Sequence, residues 1–107
     1  MSDSEFVAYV GIPDIHDGVV LRASVEEREK KVEVIIKGDS GCEHAIVFEG
    51  VAEVKMNAPE GMVLYALTEM RTTPPLRRFE FVNSNDDDEN DTRSLSVVAK
   101  DFRIHSK

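Results

Sequence analysis

Apolar and polar residues alternate with period two along most of this chain. Val19, Leu21, Ala23 and Val25 alternate with Val20, Arg22, Ser24 and Glu26, the pattern of a strand with one buried face. Val32, Val34 and Ile36 alternate with Glu33 and Lys37 and predict a second strand. From Glu43 to Met56 one phase runs through Ile46, Phe48, Gly50, Ala52, Val54 and Met56, which predicts a single long strand bent at Gly50. Arg77, Phe79 and Phe81 alternate with Arg78, Glu80 and Val82. Leu95, Val97 and Ala99 keep one phase, then Phe102 and Ile104 take the other. A β-bulge near Ala99 and Lys100 would account for that reversal.

The breaks between these segments carry turn chemistry: Asp17-Gly18, Gly38-Asp39-Ser40-Gly41, Asn57-Ala58-Pro59-Glu60-Gly61 and Thr72-Thr73-Pro74-Pro75. Two segments are ambiguous. Ser4 to Gly11 has a Ser cap, an acid in the first turn, Phe6 and Val10 one turn apart, and a closing Gly. Those end signals favour a short helix over a strand. Met62 to Met70 reads as a helical turn leading into a strand near Leu67. The predicted fold is mainly β, an antiparallel meander of five or six strands curled into a half-barrel or roll, with a short N-terminal helix. The connections are too short for parallel crossovers. Phe48, Val54, Phe79, Phe81 and Val97 are the expected core.

At 107 residues the chain has room for one core, so residues 1–107 read as a single domain. The balance of 13 basic against 21 acidic side chains gives a net charge of −8, which disfavours binding a nucleic-acid backbone. Five of those acids, Asp86, Asp87, Asp88, Glu89 and Asp91, sit in one polar stretch; without them 16 acids face 13 bases. The acidity therefore belongs largely to one expected hairpin loop, a candidate partner-binding tip that would steer a basic partner. One cysteine, Cys42, allows no disulfide. The polar start and the absence of a long apolar run fit a cytoplasmic protein with no membrane partner.

Asp14-Ile15-His16-Asp17-Gly18 is the segment richest in chemistry. A histidine beside a carboxylate can act as a base or a ligand; the plainer alternative is a turn with His16 packed at the strand entrance. His-Asp is also the signature of helical phosphohydrolases, but their further ligands on helices are missing here. His16, His44 and His105 lack metal-ligand spacing, so neither metal nor cofactor is expected. Cys42 and His44, two positions apart on an expected strand, form a weak candidate for an activated thiol. The acidic run does not match an EF-hand. Arg77 and Arg78 could hold an anion, though cross-strand pairing with acids is the better expectation. There is no phosphate loop, nucleophile elbow or Ser-His-Asp order, and the seven aromatics are expected in the core.

The string Ile15-His16-Asp17-Gly18, the strand Ile46-Val47-Phe48-Glu49-Gly50-Val51 and the ending Leu95 to Phe102 resemble small bacterial all-β proteins in which a His-Asp opens a meander. Some of these are immunity proteins of polymorphic toxin systems. The resemblance implies a non-catalytic module that binds and blocks a partner protein, and it supplies no catalytic residues. Self-association is compatible with the sequence. The alternative is a small-molecule-binding or enzymatic half-barrel with a pocket near His16 and Asp17.

Overall fold

The computed structural model describes residues 6–84 and 90–106. Among the described residues nine strands run β1 (Phe6–Val10), β2 (Val19–Glu26), β3 (Lys31–Lys37), β4 (Glu43–Glu49), β5 (Glu53–Asn57), β6 (Leu64–Met70), β7 (Arg77–Asn83), β8 (Ser94–Ala99) and β9 (Asp101–Ser106), with one 3-10 turn at Pro13–Ile15. They form two antiparallel sheets, ordered β1-β6-β7-β8-β5 and β2-β3-β4-β9. The fold is mainly β and antiparallel, as the alternation predicts. It is a two-sheet arrangement rather than one curled meander.

Sheet switching makes the difference. The predicted long strand 43–56 is two strands, β4 in one sheet and β5 in the other. Gly50 turns the corner at φ +64, a left-handed conformation that suits glycine. The phase reversal near Lys100 is not a bulge within a strand either. It is the corner where β8 leaves one sheet and β9 joins the other. The two corners are stacked: Lys100 donates its backbone N–H to the Glu49 carbonyl at 3.0 Å. β4 pairs with β9 and β5 pairs with β8, so a two-stranded ribbon folds over and belongs to both sheets.

The core lies between the sheets. Phe48 of β4 packs against Phe79 and Phe81 of β7, at ring distances of 5.3 and 5.9 Å. Val20, Val34, Ile36, Leu67 and Val97 are buried with them. Four of the five expected core residues are buried; Val54 is only partly covered and packs at the margin. β2 departs from its predicted face. A register shift between Val20 and Arg22 turns Val20 inward and leaves Leu21 and Val25 exposed.

The N-terminal segment is also a correction. Phe6–Val10 is strand β1, paired with β6 from Met70 to Leu67, not a helix. Five residues cannot sustain a helix alone, whereas β6 offers them a ladder. Gly11, the expected helix stop, ends a strand instead. Met62 to Met70 holds no helical turn beyond the tight turn at Pro59–Met62, and β6 begins at Leu64. Among the described residues no helix is long and apolar enough to cross a membrane.

Candidate functional site

The segment Pro13 to Asp17 distributes its side chains in three directions. Ile15 enters the core, fully buried. Asp14 turns toward β4 and the β3–β4 hairpin. His16 and Asp17 turn outward beside β6. Two polar or aromatic clusters result, one closed and one open.

The closed cluster centres on His44 of β4, only 5% exposed. Its Nε2 donates to Asp14 Oδ2 at 2.7 Å, and its Nδ1 accepts from the Ser106 hydroxyl at 2.8 Å. Asp14 also accepts from the Ser40 backbone N–H at 2.9 Å and from the Ser40 hydroxyl at 2.7 Å. Hydrogen bonds from His44 first, then from Ser40, hold the Asp14 carboxyl down to about 2 from its ordinary 3.8. Gly38 makes room for this carboxylate: a β-carbon there would run into it and would stand 2.8 Å from the Asp14 carbonyl oxygen. The cluster joins residues 14, 40, 44 and 106, so it ties the 3-10 turn, a hairpin and the last strand together.

Ser106, His44 and Asp14 are connected in the order of a nucleophile, a base and its orienting carboxylate. Catalysis needs more than that connectivity. The five grooves described for this surface are lined by neither His44 nor Ser106. Its hydrogen bonds act as a clasp between the 3-10 turn, the β3–β4 hairpin and β9. The sequence reading missed it because its members lie 30 and 62 positions apart.

The same cluster disposes of the Cys42–His44 thiol candidate. Cys42 is exposed, while His44 is turned inward with both nitrogens engaged. His105 is exposed on β9, and no group of three His, Cys, Asp or Glu among the described residues could hold a metal ion.

The open cluster is aromatic. His16 donates Nδ1–H to the Tyr65 carbonyl, and its Nε2 stands 3.6 Å from Asp17 Oδ2. Tyr65, on β6, meets the His16 ring at 5.2 Å and the Tyr9 ring at 6.5 Å; Tyr9 meets Phe6 at 5.1 Å. The rings stand at 64–72° to one another, so they form ridges and clefts rather than one flat platform. The Tyr65 phenol beside Tyr9 raises the Tyr9 pKa above its ordinary value. A groove of about 340 Å³ opens here, lined by Tyr9, Ile12, Pro13, His16, Tyr65 and Leu67 among others. Phe6, Val7, Tyr9 and Tyr65 are 40, 50, 63 and 47% exposed. Three of the seven aromatics are thus on the surface, contrary to the expectation that all pack inward.

The acidic stretch is described in part: Asp86, Asp87, Asp88 and Glu89 lie outside the described residues. Asp91 is described and engaged. Its carboxylate accepts from Arg93 at 2.7 and 2.9 Å, and Arg93 holds its pKa well below the usual carboxylate range. Arg77 forks onto Glu69 at 2.9 and 3.0 Å while stacking over Phe79 and Phe102, and Arg78 reaches Glu80 at 3.0 Å. Arg77 pairs across strands with Glu69 of β6, as expected, whereas Arg78 pairs with Glu80 along its own strand β7.

Searches against family models, curated proteins and solved structures found no match to this chain.

Proposed function

We propose that this protein is a non-catalytic binding module that engages and blocks a partner protein, in the manner of an immunity protein. The observation that carries the reading is the concentration of exposed apolar surface on β1 and the adjoining part of β6. Of the large hydrophobics exposed among the described residues, Phe6, Val7, Tyr9 and Tyr65 cluster there, whereas Leu21, Val25 and Met56 are scattered on β2 and β5. A contiguous apolar patch of this kind marks an interaction surface, while isolated exposed residues need no explanation. Tyrosine is favoured in such patches because it supplies contact area at low entropic cost and keeps a polar tip.

The test compares three forms of the protein as bait: the native chain, a Tyr9→Ala/Tyr65→Ala variant and a Leu21→Ala control. The reading expects one protein captured in stoichiometric amount by the first and third, and lost with the second at unchanged melting temperature. Equal capture by all three would overturn it.

The groove between His16 and Tyr65 favours a second reading, a small apolar ligand bound near His16 and Asp17. Small-molecule sites are apolar clefts with few polar groups, and their usual volumes begin near 300 Å³. A non-protein mass retained in native mass spectrometry, and lost in Tyr65→Ala, would support this reading over the first.

A further inference from the structure

Sheet edges expose unpaired backbone donors and acceptors, and proteins usually guard them with charge. The edge strands here are β1 and β5 of one sheet, β2 and β9 of the other. β5 carries Glu53 and Lys55, β2 carries Arg22 and Glu26, and β9 carries Asp101 and Arg103. β1, Phe-Val-Ala-Tyr-Val, carries no charge and no proline. An irregularity between Phe6 and Ala8 accompanies the contact of the Phe6 and Tyr9 rings, three positions apart. From there the ring row continues through Tyr65 to His16 and ends on the exposed carboxylate of Asp17. Neither β1 nor the groove lining contains a lysine or arginine.

We infer that β1 is a docking edge for an extended segment of a partner protein, added antiparallel to β1. Its apolar side chains would flank Phe6 and Tyr9, and a lysine or arginine would pair with Asp17. This rests on the protein-binding reading above and names its mode. Antiparallel pairing is the commoner arrangement, and β1 runs toward the Asp17 end. The segment therefore enters at Asp17, with its basic residue preceding its apolar ones. The net charge of −8 adds long-range attraction for such a segment. A second copy of this chain fits worse, because both copies carry the same net charge of −8.

The probe is a ten-residue peptide of two lysines followed by alternating valine and threonine. Its controls are the reversed sequence and a form N-methylated at alternate backbone nitrogens. The lysine-first peptide should bind about tenfold more tightly than the methylated form, since two backbone hydrogen bonds are lost there, and more tightly than the reversed form. It should slow hydrogen exchange at residues 6–10, and Asp17→Asn should weaken it about two- to fivefold. Val7→Lys, which places a guarding charge on the exposed strand, should abolish its binding at unchanged melting temperature. No binding, equal binding of the methylated form, or no protection at β1 would overturn strand addition. So would dimerisation in sedimentation that Val7→Lys removes, which would make a second copy the occupant. If Val7→Lys still captured the cellular protein that Tyr9→Ala/Tyr65→Ala loses, strand addition would fail while the binding reading stood.

Discussion

Asp14 and His16 are two positions apart in one turn, yet they serve opposite kinds of surface. Around Asp14 the polar groups bond within the molecule: Ser40 and His44 to the carboxylate and Ser106 to His44, with Gly38 supplying the space. Around His16 the rings of Phe6, Tyr9 and Tyr65 make contact but leave their outer faces in water. The first region has the composition expected of a reactive site and the geometry of a brace. The second pairs His16 with Asp17 at its edge and leaves a row of rings open to water.

Ile15, between the two, anchors both regions. Ile15→Ala removes a fully buried side chain and should cost about 2–5 kcal/mol, a large share of the stability of a domain this size. Urea denaturation would measure it. A loss within about 0.5 kcal/mol would show that the two regions are held independently.

Gly38→Ala attacks the closed region alone. Crowding a buried backbone against the Asp14 carboxylate and carbonyl should destabilise by about 1–3 kcal/mol. It should leave the fluorescence of Tyr9 and Tyr65 as in the native chain. Combined with Asp14→Asn the losses should fall short of the sum, because both changes disrupt one network.

Acid should separate the regions further. The Asp14 carboxyl has a lowered folded pKa, so its contribution is present above the ordinary value of 3.8 and is lost as pH falls toward about 2. Chemical denaturation of the native chain should show an acid-dependent loss through that window which Asp14→Asn lacks. Parallel stability profiles for the two proteins between pH 5 and 2 would show that the clasp does not hold Asp14 in its charged form.

The smallest effect on stability belongs to the open region. Tyr65→Ala should change the denaturation midpoint by no more than about 0.5 kcal/mol equivalent, because the ring is half exposed. A greater loss would mean that the aromatic row braces the sheet rather than awaiting a partner.

The alternation at Val32, Val34 and Ile36 and at Phe79 and Phe81 was enough to identify strands and buried faces, because a pleated strand sends successive side chains to opposite sides whatever its neighbours. The same rule made residues 43–56 look like one strand: in-phase alternation survives a corner, and nothing local marks Gly50 as the place where the chain changes sheets. His16 and Asp17 were legible as a polar pair at a turn. Their aromatic companions were not, since Phe6 and Tyr9 belong to a segment whose end signals suit a helix. β1 becomes a strand because β6 is there to pair with it. Asp14, His44 and Ser106 could be recognised only in three dimensions, because hydrogen bonds depend on distances in space and these residues are far apart along the chain. Local periodicity thus determined several of the strands and most of the core. Only tertiary pairing decided which sheet each strand joined, which distant polar groups bonded to one another, and which edge and rings were left facing water.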